Sequence, residues 1–538
     1  MAHSAQRRWY PITFAIAALV LLPLTVLLLS WHEIDEEIWA HLWATQMPRL
    51  LGNTLLLVTG VGCGVTLLGV SLAWLTSLCE FPGRRWLDWA LMLPFAIPAY
   101  VLAFVFVGLL DFAGPLQTLL RDWFGASVRL PRVRSSGGVI LVLVLVFYPY
   151  VYLLARGAFL AQGKGLMEAA RVLGQSPWQA FWRVALPMAR PAIGAGLALA
   201  IMETLADFGA VSVFNFDTFT TAIYKTWYGF YSLASATQLA SLLLLAVMLV
   251  LYGERRTRGP ARPASERPRG KALYQLRGVW AWAASAWCGL VLLCAFIIPL
   301  LQLLVWCWQR GRFDLDERYA GLILHTLYLG GLAALLTVGV ALLLAFARRL
   351  APTRSIRAAV GLANLGYALP GSVLAVAIML AFSYLDRTWV MPLSLWLGGA
   401  GKPLLLGSLV ALLLAYLIRF IAVAHGPLEN GLARIRPSLP EASRSLGVAG
   451  PWLFLRVYLP LLIPAVLSAA LLVFVDVLKE MPATLLMRPF GWDTLSVRVF
   501  EMTSEGEWAR AALPALSLVL VGLLPVILLI RRSARPNG

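Results

Sequence analysis

Charged residues are scarce in this chain. Asp, Glu, Lys and Arg make up 13% of its 538 residues, whereas hydrophobic residues make up 60%. Acidic residues are the scarcer sign, at 26 against 44 Lys and Arg, which leaves a formal net charge of +18. So low a charge content excludes a soluble globular protein and predicts an integral membrane protein. In a membrane protein the excess arginines set the topology and meet anionic lipid headgroups, so we expect no nucleic-acid partner.

Cysteine and histidine are also rare, with five of each. The cysteines lie in or beside apolar runs without a C-x-x-C pair, so no disulfide framework is predicted. No two histidines have the spacing of helical metal ligands, and neither H-E-x-x-H nor a serine nucleophile elbow occurs. A GxxxxGK[ST] phosphate loop is absent too, because Gly398–Pro403 lacks the Ser or Thr and the spacing. We therefore expect no catalytic residues, no tightly held metal and no ATP bound by this chain itself.

Long apolar runs dominate the chain instead. A helix that spans a bilayer needs about 20 mostly apolar residues. The first run, Ile12–Leu29, lacks a small-x-small cleavage site and is interpreted as an uncleaved first helix rather than a signal peptide. The predicted spans are twelve in number: 11–30, 52–78, 88–110, 137–159, 191–214, 234–252, 277–308, 322–346, 356–382, 403–424, 464–487 and 511–530.

The distribution of Lys and Arg predicts the orientation of these spans. With a cytoplasmic N-terminus, the cytoplasmic segments carry 29 Lys and Arg and the outer segments 14, with Lys479 inside a span. This bias predicts that both termini lie in the cytoplasm. Three residues run against it, because Arg129, Arg132 and Arg134 fall in an outer loop, where the pattern indicates only a solvated face.

The two halves of the chain are parallel repeats. Each half holds six predicted spans, so both halves run in the same direction and are related by an axis along the membrane normal. We therefore divide the chain into a first half, 1–252, an Arg/Pro/Gly-rich cytoplasmic linker, 253–276, and a second half, 277–538. Within the linker we expect Gly253–Lys271 to be flexible. We expect His325 to replace Asn53 structurally rather than to bind a metal. The matched segments are Asn53-Thr54-Leu55 with His325-Thr326-Leu327, Pro98 with Pro370, and Phe216-Asp217-Thr218 with Trp492-Asp493-Thr494.

One amphipathic stretch occurs once in each half. Glu168–Pro187, EAARVLGQSPWQAFWRVALP, recurs as Glu441–Pro460, EASRSLGVAGPWLFLRVYLP, at an offset of 441 − 168 = 273. The spacing predicts a helix, a left-handed Gly174 or Gly447, and a second helix that Ser176 caps in the first copy. One apolar face of that second helix is predicted to comprise Trp178, Phe181, Trp182 and Ala185.

The pattern E-A-A, three residues, G, nine residues, an aliphatic, any residue and L-P resembles the signature loop of permease subunits of bacterial ABC importers. Ser443 stands in place of the second Ala of the second copy. The resemblance implies an all-α polytopic membrane protein of the type I importer class, with twelve transmembrane helices as two six-helix repeats. It implies coupling loops at 161–190 and 427–463 that contact two copies of an ATPase carrying ATP and Mg²⁺. It also implies an inner-membrane location and a periplasmic substrate-binding protein as partner. The coupling residues it implies are Glu168, Ala169, Arg171, Gly174, Glu441, Ala442, Arg444 and Gly447.

Acidic residues inside membrane spans are costly and therefore informative. Glu203 and Asp207 of the fifth span match Asp476 and Glu480 of the eleventh, since 476 − 203 and 480 − 207 both equal 273. Residues four apart share a helix face, so we predict that these acids approach a common centre and line the outer substrate path. The alternative is structural: Asp476 pairs with Lys479, and the acids hold the halves together.

Two stretches narrow the resemblance. Glu203–Phe230 and Lys479–Arg488 resemble the fused permeases of ferric-iron importers, which implies import of ferric iron from the binding protein. Thiamine, phosphonate and sulfate permeases share the architecture and remain alternatives. A secondary transporter driven by an ion gradient also remains open, although it gives no reason for two matched cytoplasmic loops. A membrane-embedded enzyme would need a cluster of polar catalytic residues, and the sequence contains no convincing set.

Overall fold

A computed structural model describes residues 9–125, 127–162, 170, 172–257, 274–310, 317–398, 400–448 and 450–534. Within these residues, 12 helical segments are long and apolar enough to cross a membrane, which confirms the predicted number. Up to the linker, the helices and the strand are α1 Trp9–Leu29, α2 Glu36–His41, α3 Met47–Leu78, β1 Cys79–Glu80, α4 Arg84–Ala90, α5 Ala99–Leu110, α6 Pro115–Phe124, α7 Ser136–Ala161, α8 Pro177–Ala180, α9 Leu186–Ala206, α10 Gly209–Val213, α11 Phe219–Phe230 and α12 Leu233–Thr257.

The second half has a similar series of helices, with short 3-10 and π turns between several of them, but its strand precedes the helices. Its strand and helices are β2 Tyr274–Gln275, α13 Val279–Leu292, α14 Ile298–Arg310, α15 Glu317–Leu350, α16 Arg354–Ala363, α17 Gly371–Leu385, α18 Met391–Trp396, α19 Leu409–Arg434, α20 Ser438–Ser445, α21 Gly450–Leu453, α22 Leu459–Lys479, α23 Pro482–Met487, α24 Leu495–Ser504 and α25 Trp508–Ala534.

Prolines shorten two of the predicted spans. The prediction of a continuous span over 88–110 is wrong, because α4 ends at Ala90 and α5 begins only after Pro98. The span predicted over 356–382 is interrupted in the same way before α17, at Pro370. Proline lacks an N–H and disfavours helical geometry in the residue before it, so the helix cannot run through. The repeat pair Pro98 and Pro370 therefore marks matched helix starts.

The chain folds into two compact units, each assembled from three segments. Unit 1 contains Met1–Trp39, Ile223–Leu244 and Leu315–Arg498. Unit 2 contains Ala40–Ala222, Leu245–Asp314 and Val499–Gly538. Within unit 2, α7 packs between α3 and α9; within unit 1, the repeat-related α19 packs between α15 and α22. The sequence repeat is thus visible as the same three-helix core in both units.

The outermost helices of each sequence half belong to the other half's core. In unit 1, α1 packs on α16 and α17, and the Tyr10 hydroxyl donates to Thr353 Oγ1 at 3.1 Å. In unit 2, the ring of Phe104 stacks with Trp306 of α14 and Trp508 of α25, at centroid distances of 6.2 and 6.5 Å. The packed units therefore differ from the halves 1–252 and 277–538, whose boundaries along the sequence stay a prediction.

The two ends of the predicted linker are ordered. Residues 253–257 continue α12, and β2 pairs in parallel with β1, Cys79 opposite Tyr274. The ring of Tyr274 packs against Trp74 at 5.9 Å, and burial raises the pKa of the Cys79 thiol to about 12. The expectation that Gly253–Lys271 is flexible is therefore wrong at 253–257, residues 258–273 lie outside the described ones, and the bounds of the linker stay a prediction. The sequence did not indicate β2, because Cys79 and Trp74, which contact it, are distant in the chain.

We expect the chain to tolerate a cut inside the linker. Co-expressed fragments 1–260 and 265–538 should assemble, because the first keeps β1 and the second keeps β2. Each also keeps the helices that pack in the core of the other sequence half. Co-purification of an affinity-tagged first fragment with the second measures assembly.

A fragment that begins at residue 277 provides the matched control, since it lacks Tyr274 and the β2 strand. We expect lower recovery of that shorter fragment. If 265–538 inserts stably but does not co-purify, the intact linker has a role in assembly that this account omits.

Candidate functional site

The second signature stretch forms the predicted helix-turn-helix. Helix α20 is followed by Gly447 in the left-handed region, at φ +82°, and the chain then turns into α21. The Val448 N–H donates to the Ser443 carbonyl at 3.0 Å, which closes the helix end. The predicted coupling residues Glu441, Ala442 and Arg444 are exposed on this helix.

The first stretch has the same turn. Gly174 is left-handed, at φ +78°, and the Gln175 N–H donates to the Ala170 carbonyl at 3.0 Å. Ser176 caps α8 as predicted: its Oγ accepts the Gln179 N–H at 3.3 Å, and the Gln179 side chain accepts the Ser176 N–H at 3.1 Å. The predicted coupling residues Glu168, Ala169 and Arg171 lie outside the described residues.

Both turns expose large apolar side chains. Leu173 is 80% exposed beside Gly174, and Leu446 is 83% exposed beside Gly447. The predicted apolar face of the helix after the first turn is split. Trp178 and Trp182 are exposed, whereas Phe181 packs edge-on against Trp74 at 4.8 Å and Ala185 is buried. Each stretch thus has one side fixed to its own unit and another that presents apolar groups outward.

Side-chain hydrogen bonds hold the bases of both stretches. The Gln162 amide donates to the Ala185 carbonyl at 3.0 Å, which joins the two ends of the first loop. In unit 1, the Arg349 guanidinium donates to the carbonyls of Leu432 and, at 2.7 Å, Ile435, where α19 ends and the second loop begins. The base of each stretch is therefore hydrogen-bonded to a residue in or next to a membrane helix.

The fifth and eleventh spans break at the second acid of each pair. Helix α9 ends at Ala206 and Asp207 is extended, with φ −67° and ψ 127°. Helix α22 ends at Lys479 and Glu480 is extended, with φ −70° and ψ 108°. The prediction that Asp207 and Glu480 share a helix face with Glu203 and Asp476 is therefore wrong.

Hydroxyl groups from the repeat motifs satisfy the backbone at both breaks. Thr220 Oγ1 donates to the Asp207 carbonyl at 2.6 Å. Thr484 and Ser496 donate to the Glu480 carbonyl at 2.6 and 3.3 Å. A broken helix frees carbonyl groups that are costly to bury without a hydrogen-bond partner. The matched breaks are therefore built features of both units.

The repeat partners Asn53 and His325 support the same region. The Asn53 amide donates to the Asp217 carbonyl at 2.8 Å, and the His325 ring stacks on Trp492 at 4.7 Å. His325 thus contacts the matching motif by ring stacking rather than by the hydrogen bond that Asn53 makes, and its structural role stays a prediction. The repeated Phe-Asp-Thr and Trp-Asp-Thr motifs thus act as matched supports of the loops behind the breaks.

The acids at the two breaks have different surroundings. Asp207 Oδ1 accepts the Val211 N–H at 3.0 Å, and among the described residues no Lys or Arg lies within 4.0 Å of its carboxylate. Glu480 also accepts a backbone N–H, from Ala483 at 3.2 Å, but its Oε2 lies 3.1 Å from Arg419 Nε. The Glu480 and Arg419 side chains are 6% and 13% exposed. Asp207, by contrast, is half-buried, as are Glu203 and Asp476.

Sequence reasoning missed Arg419, which the count of charges had assigned to the cytoplasmic side. It lies within α19, where it also donates to the Leu369 carbonyl at 2.9 Å. The available signal was an arginine inside an apolar run, which is costly in a membrane unless it is paired. Without Arg419 the cytoplasmic count falls from 29 to 28, and the bias against 14 persists.

Asp88 and Arg156 form a second ion pair that the sequence did not indicate. Arg156, near the end of α7, contacts both carboxylate oxygens of Asp88 at 2.6 Å, and the Tyr152 hydroxyl donates to the Asp88 carbonyl at 2.8 Å. The bidentate geometry fixes the end of α7 to α4. It thereby positions the helix that leads into the first signature stretch.

Known proteins resemble this chain in sequence. Residues 65–254 match the family described as the inner membrane component of binding-protein-dependent transport systems. That range includes the first signature stretch and the break at Asp207.

Several relatives extend the likeness. An Fe(3+)-transport system permease protein of Haemophilus influenzae is 28% identical over 499 residues, which are 91% of this chain and 90% of the relative. A ferric transport system permease protein of Actinobacillus pleuropneumoniae is 24% identical over 92% of this chain and 72% of the relative. A sulfate transport system permease protein of Escherichia coli is 29% identical over 44% of this chain and 86% of the relative. Residues 65–254 thus match the family of inner membrane components of binding-protein-dependent transport systems, and the chain is similar over 91% of its length to an Fe(3+)-transport system permease protein.

Proposed function

We propose that this chain is the transmembrane permease of an ATP-driven importer that moves ferric iron from a periplasmic binding protein into the cytoplasm. The observation that carries the proposal is the extent of the likeness to the Fe(3+)-transport permease, which runs through both halves over 91% of the chain. The likeness to the sulfate permease extends over 44% of the chain. Sulfate, thiamine or phosphonate in the same class of importer is the alternative, and a secondary transporter driven by an ion gradient is a more distant one.

We propose that the two signature stretches receive two ATPase subunits, one at each stretch. The exposed leucines beside Gly174 and Gly447 supply apolar contacts, and Glu441 and Arg444 supply polar ones. Ala442, together with Glu168, Ala169 and Arg171 of the first copy, completes the proposed surfaces. ATP and Mg²⁺ are bound by the ATPase, so this chain needs no cofactor of its own. Both stretches and both termini then face the cytoplasm of a bacterial inner membrane.

We propose that Asp207 is the acid that serves the passing cation. A carboxylate oxygen suits a hard cation such as ferric iron, and the Asp207 carboxylate has no guanidinium within ion-pair distance among the described residues. Glu480 has one, in Arg419, which neutralises it. Glu203 and Asp476 are half-buried one turn before the breaks, and we propose that they line the path. None of the four holds the metal tightly.

Reconstitution of the purified complex in proteoliposomes tests the proposed substrate. Iron-loaded, sulfate-loaded and thiamine-loaded binding proteins are supplied in turn, and uptake of each labelled ligand is measured with and without ATP. We expect ATP-dependent uptake of iron only. Uptake that persists without the ATPase would instead favour the secondary transporter.

We expect Asp207→Asn to lower iron uptake at unchanged stability. The substitution keeps the side-chain shape and the acceptor for the Val211 N–H but removes the charge. A unit-charge attraction at 4 Å contributes about 1 to 4 kcal/mol between water and a protein surface, so uptake should fall about tenfold or more. Initial rates of labelled-iron uptake and the melting temperature of the complex measure the two effects.

Glu480→Gln is the matched control at the other break, and we expect it to act chiefly on stability. The double variant Asp207→Asn with Glu480→Gln removes both break charges. A double variant that assembles normally and imports iron at the wild-type rate would show that the acids are structural.

A further inference from the structure

Three arginines in the loop between α6 and α7 have no role in the function proposed so far. Arg129, Arg132 and Arg134 are all exposed within six residues of chain. Among the described residues, no carboxylate lies within 4.0 Å of their guanidinium groups. This loop, 127–135, therefore displays three positive charges that the described part of the chain does not neutralise.

The loop is held in one geometry. Gln117 of α6 is 2% exposed, and its amide nitrogen donates to the Val128 carbonyl at 2.8 Å while its amide oxygen accepts the Leu130 N–H at 2.9 Å. These two hydrogen bonds fix the backbone on either side of Arg129. At the other end, Ser135 caps α7 by accepting the Gly138 N–H at 3.2 Å. The arginines thus project from a braced backbone, which lowers the entropy cost of binding.

The charges of this loop run against the topology rule. Lys and Arg are favoured in short loops on the cytoplasmic side, whereas the predicted orientation places 127–135 outside. The matching loop of the second half, 397–408, contains only one cation, Lys402. A bilayer meets both halves alike, so charges that serve lipid headgroups are expected in both loops. Charges in only one of the two halves indicate instead a single partner that contacts the two halves with different surfaces.

We propose that loop 127–135 docks an acidic face of the periplasmic binding protein. The inference rests on the proposed function for the side of the membrane on which the loop lies. Arg129 and Arg132 meet carboxylates of the partner. Arg134 lies over the Trp508 ring at 5.8 Å, at the start of the last span, and anchors the rim of the contact. Opposite charges at such a rim speed association and fix the orientation of the partner.

The test measures binding of the purified binding protein of the same transport system to the complex in nanodiscs. The variants are Arg129→Gln/Arg132→Gln/Arg134→Gln and the charge-preserving Arg129→Lys/Arg132→Lys/Arg134→Lys. At low salt we expect the Gln variant to bind about tenfold more weakly, chiefly through a slower association rate. The difference should shrink as salt is raised, because exposed charges are screened. The Lys variant and Lys402→Gln should bind within about twofold of the unsubstituted chain.

Binding is measured with and without iron, so that a failure of the proposed substrate and a failure of the docking surface give different results. Intact binding with no iron uptake would overturn the proposed substrate and leave the docking surface standing. Equal association rates and salt dependence for the unsubstituted chain and the Gln variant would overturn the docking surface. If the Gln variant instead loses only the stabilisation by phosphatidylglycerol in the nanodisc, the arginines serve lipid headgroups and the inference is wrong.

Discussion

Replacing Gly174 and Gly447 together by valine should uncouple ATP hydrolysis from transport. Both residues are left-handed, at φ +78° and +82°, and a Cβ added at either one meets no atom within 4 Å. The expected defect is therefore backbone strain rather than a clash. In the left-handed region a residue with a side chain is destabilised by about 1 to 2 kcal/mol relative to glycine, and a β-branched residue is destabilised by more. Each 1.4 kcal/mol is a factor of ten in population, so the docked form of each turn should fall about tenfold.

The measurement is iron taken up per ATP hydrolysed by the complex in proteoliposomes. Gly491→Val with Gly506→Val is the matched control, because these glycines have φ of +78° and +79° and also meet no atom within 4 Å. They lie outside both signature stretches, so the same strain should leave the ratio intact. A signature-stretch double variant with unchanged coupling would rule out the two turns as the contact with the ATPase.

Arg419→Met should be the most destabilising single substitution among the membrane-embedded charges. It leaves Glu480 with its carboxylate 6% exposed and without the guanidinium now 3.1 Å away. Removing one partner of a buried ion pair costs about 3 to 5 kcal/mol, because the remaining charge stays desolvated. The Leu369 carbonyl also loses its side-chain donor. A lower melting temperature in detergent and less folded protein in the membrane should report the loss.

The double variant Arg419→Met with Glu480→Gln is the critical comparison. It removes both charges, so much of the lost stability should return. Arg156→Met provides a second comparison at the Asp88 pair, whose side chains are 22% and 27% exposed and should therefore matter less. If Arg419→Met melts like the unsubstituted chain, Glu480 is not held by this pair, and its assignment as the structural acid is wrong.

Local patterns predicted the signature stretches in detail. The left-handed glycines and the Ser176 cap depend on residues within a few positions of one another, so the sequence contains all the terms that decide them. The apolar face after Gly174 was predicted less well. Phe181 does not lie on that exposed face, because it packs against Trp74. Trp74 is more than a hundred positions away, so no local pattern identifies it.

The acids of the broken helices illustrate the opposite case. The sequence showed their matched spacing. The break itself depends on hydroxyl groups such as that of Thr220, which donates to the freed Asp207 carbonyl only in the folded chain. The difference between Asp207 and Glu480 depends on Arg419, which lies on another helix. Symmetry in the sequence therefore predicted four equivalent acids, and tertiary contacts made two of them unlike.

The sequence by itself determined the membrane class, the number of spans and the signature turns, because apolar length and glycine geometry are local properties. Only the tertiary structure decided which helices share a core. The exchange that places α1 in unit 1, and α14 and α25 in unit 2, follows from contacts such as Tyr10 with Thr353 and Phe104 with Trp306. Every span is apolar enough to lie in the membrane, so hydrophobicity does not choose its neighbours. Shape and hydrogen bonding between distant side chains do.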